Sequence, residues 1–412
     1  LSGRRVVITG IGVISSIGNN KQDFWNNIKA NQHGFTLGNW FPGQSDELQV
    51  QSRVKDFSPL EHFEKKELRR TDIITQYAVV ATKEALADSG TDFKHLDPFR
   101  VGVIVGSGVG GIMTTEEQIM TYHNKGFNRV SVFTIPMMIA NMAAGVIAIK
   151  TGFKGTNYCP VSACASATHA IGEAFRAIKH GYIDAAITGG SEGCHIGFAY
   201  AGFNNMHAVT RSKEPDRASM PFDKERSGFV LGDGAGIIVI EEYEHAKKRG
   251  AEIYAEICGY GSTCDAFHET GPDPEGRGGA KAMELAVLES GLNFNQINYI
   301  NAHGTSTELN DKTETKAIKA VFGEHAENIA INSTKSIVGH LLGAAGGVEA
   351  AVTALQIKNG LVHKTLGYKT PDPECDLDYI TEGNRELEIT GAISNSLGFG
   401  GHNASICFKN IK

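Results

Sequence analysis

Short apolar runs alternate along this chain with stretches whose apolar positions recur three and four apart. An unbroken apolar run reads as a strand buried on both faces, and the three-and-four spacing reads as a helix with one buried stripe. On this pattern strands fall at 5–14, 101–106, 158–162, 185–189, 229–241, 253–259, 299–302, 329–332 and 404–408. Helices fall at 23–30, 73–89, 137–151, 165–179, 279–289, 311–321 and 342–358. Strand and helix in alternation predict an α/β protein built in layers. Segments 34–59 and 207–223 are polar and irregular, and 265–279, rich in acids, prolines and glycines, reads as a mobile loop. The step from the strand pattern at 229–241 to the one at 253–259 marks a seam, dividing 1–250 from 251–412. No repeat of solenoid period is present.

Composition narrows the class. A chain of 412 residues can bury one large core or two, and 41% hydrophobic with 21% charged residues is an ordinary globular balance. The 49 glycines are scattered through turns rather than repeated. No run of about 18 apolar residues occurs, so no membrane span is expected. The start lacks the charged-then-apolar pattern of a secretion signal. Seven cysteines, an odd number without a C-x-x-C pair, argue against zinc or redox motifs and for reduced thiols in a cytoplasmic protein. A net charge of −7 argues against a general nucleic-acid binder.

The candidate chemistry centres on Cys164, in Cys159-Pro160-Val161-Ser162-Ala163-Cys164-Ala165-Ser166-Ala167. A β-prone run leads in, and Ala167, Ala170, Ile171, Ala174, Phe175 and Ile178 lead out at helical spacing. The cysteine therefore falls at a strand-to-helix turn, where free backbone N–H groups and the helix dipole should lower its pKa and enrich the thiolate. Two further segments end strands in the same way: Asn301-Ala302-His303-Gly304-Thr305-Ser306-Thr307, and Asn332-Ser333-Thr334-Lys335-Ser336-Ile337-Val338-Gly339-His340. A sulfur that can hold an acyl group, with two imidazoles that can stabilise an enolate oxygen, suits carbon chemistry at thioesters.

With these segments, and with 5–13, Pro221-Phe222-Asp223 and the rest of 221–229, 232–236, and Ser394-Asn395-Ser396-Leu397-Gly398-Phe399-Gly400-Gly401, the chain resembles the elongating β-ketoacyl-acyl-carrier-protein synthases, within the thiolase-like condensing enzymes. The resemblance implies a five-layered α-β-α-β-α fold of two similar halves, the first carrying the cysteine and the second both histidines. It implies that Cys164 takes an acyl group from an acyl-carrier protein. His303 and His340 would bind the carbonyl oxygen of the malonyl thioester, with His303 alternatively activating water or assisting decarboxylation. The enolate would then attack the acyl-cysteine and lengthen the chain by two carbons. The backbone N–H groups of Cys164 and Phe399 would form the oxyanion site, and the Phe399 ring would gate the acyl pocket. Lys335 would orient and tune the site, with Glu349 and Asp311 in support. Thr305 and Thr307 would bind the phosphopantetheine arm, and Val109 would line the far end of the acyl pocket. Lys65, Lys66, Arg69, Arg70 and Arg129 would dock the acidic carrier. His207 and Asn128 stand where basic residues are common, which touches docking rather than catalysis. The family implies a homodimer, no cofactor beyond the carrier's phosphopantetheine, and in some members a structural monovalent cation near the Glu349 position.

Four related classes compete. A non-condensing partner subunit would lack the nucleophile. A thiolase would carry a second cysteine in the loop that here reads Leu397-Gly398-Phe399-Gly400-Gly401. A priming synthase would have asparagine at His340. A polyketide ketosynthase is nearer; the freestanding length favours fatty-acid synthesis.

Overall fold

The apolar run near the N-terminus forms β1, Val6–Ile14, buried at every position. The computed structural model describes residues 3–41 and 45–411. Following β1 along the chain are β2 (Val101–Gly106), β3 (Asn157–Tyr158), β4 (Ala185–Glu192) and β5 (Gly234–Glu242). Then come β6 (Ala255–Cys264), β7 (Ile297–Asn301), β8 (Ala330–Asn332), β9 (Gly391–Gly398) and β10 (His402–Lys409). Hydrogen bonding places these ten strands in the order 3-2-4-5-1-6-10-9-7-8, so the second five mirror the first under a shift of five. Strand directions obey the same shift. The parallel pairs β2–β3 and β2–β4 are answered by β7–β8 and β7–β9. The antiparallel pairs β4–β5 and β5–β1 are answered by β9–β10 and β10–β6. The halves join where β1 pairs with β6, from Val6↔Ile257 to Ile8↔Ala255.

The helices repeat too. α1 (Ile73–Ser89), α2 (Met142–Thr151) and α3 (Ser166–Lys179) connect the first half as α4 (Arg277–Ser290), α5 (Glu308–Phe322) and α6 (Ala345–Asn359) connect the second. α1 and α2 cover one outer face and α4 and α5 the other, while α3 and α6 lie between and touch both sets of strands. This is the five-layered α-β-α-β-α arrangement. A helix in the middle layer has no wet side, and α6 is buried from Ala345 through Ile357.

Two glycine pairs set the outer packing distance. A Cβ on Gly10 or Gly12 would lie 2.1 or 1.9 Å from a carbonyl oxygen of α1. On Gly259 or Gly261 it would lie 2.0 or 1.9 Å from one of α4. Bare strand backbone thus lets each helix settle directly on its sheet.

Some elements depart from the periodicity reading. The irregular segment 34–59 contains a hairpin, Thr36–Asn39 with Leu48–Gln51; residues 42–44 of that segment lie outside the described residues. The strand expected at 158–162 ends at Tyr158, ahead of Pro160, which has no N–H to donate. The helix expected at 137–151 is broken, since Ile139 is extended between Thr134–Met138 and α2. Strand β5 begins only at Gly234, with Phe229 and Leu231 making isolated bridges before it. β9 escaped prediction because Ser394, Asn395 and Ser396 are polar yet buried. Helices Ile112–Lys125 and Gly197–Asn205 escaped as well. Among the described residues no helix is long and apolar enough to cross a membrane.

Candidate active site

Cys164 lies in the single tight turn Ala163–Ala165 between β3 and α3. Ala163 has φ +49°, a left-handed conformation that costs a non-glycine residue energy and turns the chain sharply into the helix. Ser166 secures the turn: its Oγ donates to the Ala163 carbonyl at 2.7 Å and accepts from the Ser162 N–H at 2.9 Å. The cysteine is 8% exposed. Burial pushes its thiol up to about 11, with the Lys335 charge and the N–H groups of Phe399 and of Cys164 itself pulling the other way. The thiolate enrichment expected from the helix start is therefore not met in the resting site, because dehydration outweighs it. The two N–H groups directed at the sulfur are those assigned above to an oxyanion. Gly398 makes their convergence feasible, since a Cβ there would lie 2.8 Å from the Ser162 carbonyl oxygen and 3.2 Å from the Cys164 nitrogen.

His303 follows β7, and Lys335 and His340 follow β8. The strands are parallel neighbours, so their C-terminal ends deliver all three to one place. The rings of His303 and His340 stand edge to face, with centroids 5.4 Å apart. Lys335 Nζ lies 3.3 Å from His303 Nδ1. An ammonium only donates, so Nδ1 accepts and the neutral ring carries its proton on Nε2. The Leu342 N–H donates to His340 Nδ1 at 3.1 Å, which fixes the same tautomer there. Burial, with the Lys335 charge next in weight, holds both imidazoles well below the usual histidine range. Both rings are therefore neutral N–H donors, not acids. The His340 backbone is anchored in the other half, its N–H donating to the Val230 carbonyl at 2.8 Å.

Lys335 and Glu349 form a wholly buried ion pair. Among the described residues Glu349 Oε2 has no hydrogen-bond partner, and neither has the buried Ser394 Oγ. Ser394 pairs in register with Asn301, whose amide reaches the Glu349 carbonyl at 3.4 Å. An orphaned carboxylate oxygen and an orphaned hydroxyl, on residues linked through Asn301, are the donors a small cation takes. Among the described residues no group of three or more His, Cys, Asp or Glu could hold a metal ion.

Asp311 is not an N-cap, since α5 starts at Glu308. Its Oδ2 accepts from Ser306 N at 3.1 Å and Phe222 N at 2.8 Å, with Arg226 at 3.8 Å. One turn on, Glu314 accepts from His303 N at 2.8 Å and Gly304 N at 2.9 Å, so it holds the His303 loop directly. The sequence reading passed over Glu314; two acids three apart on the buried face of a helix are the signal for it. It also passed over Glu192, buried at the end of β4.

Thr305 and Thr307 point the same way, their hydroxyls 2.8 Å apart. Phe399 is half-buried on a loop whose next residue donates its N–H to the Glu269 carbonyl at 2.7 Å. The segment 265–279 thus borders this loop. Val109 is exposed on the loop after β2. Lys65, Lys66, Arg69, Arg70 and Arg129 are all exposed, away from the buried cluster. Arg70 covers the Phe133 ring at 4.8 Å, which brings its segment beside that of Arg129.

Residues 3–246 match the beta-ketoacyl synthase N-terminal domain, and residues 254–369 match its C-terminal domain. The chain belongs to the β-ketoacyl synthase family. It is 46% identical over 410 residues to the 3-oxoacyl-[acyl-carrier-protein] synthase 2 of Synechocystis sp., covering 99% of both chains. With the same enzyme of Staphylococcus aureus strain MRSA252 it shares 47% over 408 residues, again 99% of both. A β-ketoacyl synthase structure from Burkholderia phymatum superposes with a TM-score of 0.92 at 35% identity, covering 99% of this chain and 100% of that one. A complex of a type II polyketide acyl-carrier protein with its ketosynthase matches with a TM-score of 0.92 at 32% identity, over the full length of both chains. This β-ketoacyl synthase is a condensing acyltransferase of the synthase II type, acting in fatty-acid synthesis on substrates carried by acyl-carrier protein.

Proposed function

We propose that the synthase works through Cys164, His303, His340 and Lys335 as one unit. Acyl transfer forms a thioester at Cys164 and releases the carrier's thiol, the proton of the cysteine passing to that leaving sulfur. Malonyl-carrier protein then loses carbon dioxide, and its thioester oxygen takes up the enolate charge between the two Nε2–H donors. The enolate carbon attacks the acyl-cysteine, whose oxyanion rests on the Cys164 and Phe399 N–H groups. Collapse releases the sulfur as thiolate, which takes a proton from solvent to restore the thiol, and leaves a β-ketoacyl chain two carbons longer on the carrier. The observation that carries this reading is the matched tautomer of the two buried histidines, each with Nδ1 occupied and Nε2–H free to donate. Preorganised neutral donors stabilise a developing oxyanion without reorganising.

Other parts of the reading rest on separate supports. Residues 1–250 serve as the half that carries the nucleophile and 251–412 as the half that carries the histidines. Thr305 and Thr307 bind the phosphopantetheine arm, Phe399 gates the acyl pocket, and Val109 limits it. Lys65, Lys66, Arg69, Arg70 and Arg129 meet the acidic carrier, steering its approach. A cation, where bound, is held by Glu349 and Ser394 and offsets negative charge beside Lys335. The odd count of seven unpaired cysteines supports a cytoplasmic setting.

A homodimer is part of this reading, and the two ends of the strand order support it. The outer side of β8 is covered by the chain itself, Ile331 donating to the Asp378 carbonyl at 2.8 Å. Strand β3 ends the other side of the order. Around it Tyr158 is 38% exposed, Val161 59%, Ile135 63%, Ile149 79% and Val132 87%. An open edge with an apolar surround is a surface for a second copy of the chain.

Intact-mass analysis with medium-chain acyl-carrier protein and malonyl-carrier protein tests the mechanism. An acyl adduct on Cys164 followed by a carrier-bound chain two carbons longer is the expected result. No adduct across several chain lengths would overturn the assignment of Cys164.

A further inference from the structure

Glu192 ends β4 and is fully buried. Its Oε1 accepts from Ser107 Oγ at 2.9 Å. Its Oε2 accepts from two backbone N–H groups, Gly108 at 2.7 Å and Gly343 at 3.0 Å. Ser107 and Gly108 begin the loop that carries Val109, after β2 of the first half. Gly343 lies in the turn Leu342–Ala344, just before α6 of the second half. One carboxylate therefore grips both halves at once. Burial pushes this carboxyl up to about 7, against the pull of its N–H and O–H donors.

The peptide beside Gly343 gives the grip a consequence. Leu342 has φ +47°, a strained conformation for a branched residue. Its N–H is the donor that occupies His340 Nδ1 at 3.1 Å. The next N–H along the chain is the one Glu192 holds. Strained peptides persist only where their surroundings over-determine them. We infer that Glu192 is a positioning residue for His340: it clamps the Leu342-Gly343 peptides so that Nδ1 stays filled and the Nε2–H stays turned toward substrate. Through Gly108 the same carboxylate ties that arrangement to the acyl-pocket loop. The inference rests on the reading of His340 as a donor to the malonyl thioester.

Glutamine at 192 keeps the shape but replaces one accepting oxygen with a donating nitrogen. Turned toward the two glycines the new NH2 faces their N–H groups, and turned toward Ser107 it reverses that bond by donating to Oγ; either way the glycine N–H groups lose their charged acceptor. The test measures two partial reactions separately: acyl loading of Cys164 by intact mass, and carbon dioxide release from malonyl-carrier protein. E192Q is expected to slow decarboxylation by about tenfold or more, as a misaimed oxyanion donor costs less than the roughly 100- to 1,000-fold of a missing one. Acyl loading, which the carboxylate reaches only through the Gly108 loop, should fall by clearly less. E192D, which keeps the charge but shortens the reach, should show the same split more weakly, and it carries the test if E192Q fails to fold. S107A removes the Oε1 contact and the acceptor of the Gly110 N–H at 3.0 Å, both on the acyl side, and should leave decarboxylation near the parent rate. A parallel fall in both reactions in E192D or E192Q, or no change in either, would overturn the inference. H340A separates the two readings: decarboxylation at the parent rate in H340A would refute the role of His340 itself, whatever Glu192 does.

Discussion

Lys335 stands 3.3 Å from His303, with its ammonium facing the ring's Nδ1 and its opposite side paired with Glu349. The cation thus has two tasks, neutralising a buried carboxylate and fixing a tautomer. They can be separated. K335M should destabilise the fold by about 3–5 kcal/mol, because Glu349 is left buried and unpaired. It should also depress malonyl decarboxylation. The double variant K335M/E349Q should recover most of the stability in thermal unfolding without recovering decarboxylation. Activity returning along with stability would show that Lys335 acts only through the fold.

The raised Cys164 thiol makes a prediction about alkylation. Thiolate fraction rises about tenfold per pH unit below the pKa. Iodoacetamide should therefore modify Cys164 ever faster as pH climbs from neutral toward about 11, its raised value. A rate that levels off below the ordinary thiol value would show that the helix start overcomes burial after all.

His363 is buried and neutral, its ring lowered from 6.5 to about 4 by burial. The unfolded chain takes up a proton near 6.5 that the folded chain refuses until about 4. Stability from this group is full above 6.5 and is lost as pH falls from there to about 4. At about 1.4 kcal/mol per unit the loss totals about 3–4 kcal/mol. In H363Q this pH-dependent loss is absent, so the difference in stability between parent and variant should shrink by that amount over the same range. Denaturant titrations at several pH values check it; a difference that stays constant refutes it.

Gly12 and Gly261 occupy equivalent places in β1 and β6, each with a helix carbonyl oxygen where a Cβ would stand, 1.9 Å away. G12A and G261A should each force a helix off its sheet and cost about 1–3 kcal/mol or more. Calorimetric melting should show similar penalties for the two. A neutral effect at either site would mean that the helix can slide without loss.

Ile135 is 63% exposed among the apolar residues near the open edge of β3. I135D should shift the protein from dimer to monomer in sedimentation measurements. A parent protein that sediments as a monomer would dismiss the proposed dimer directly.

The site was legible where chemistry sits on loops with characteristic neighbours. Cys164, His303, Lys335 and His340 stand out because strand runs end just before them. Their supporting acids were harder to see. Glu314 lies among polar neighbours, and only the fold shows that its carboxylate reaches the His303 loop. Glu192 follows a strand and resembles any surface acid until Gly343 arrives from the other half. β9 was hidden for a related reason: its buried Ser396 and Asn395 find partners across the core, so burial there needs no apolar side chains. The duplication left only faint traces in the sequence, the paired glycines of β1 and β6, whose meaning depends on the helices above them.

Under the shift of five, the crossover from β3 to α3 that holds Cys164 matches the crossover from β8 to α6 that holds Lys335 and His340. The same structural position thus places a sulfur in one half and an ammonium and an imidazole in the other. The segment between Glu242 and Ala255 joins the two, and it does what a linker does for paired binding modules. It replaces an encounter between separate partners with a fixed local concentration. Sulfur and imidazoles consequently meet at every dilution, and their meeting depends on no equilibrium outside the chain.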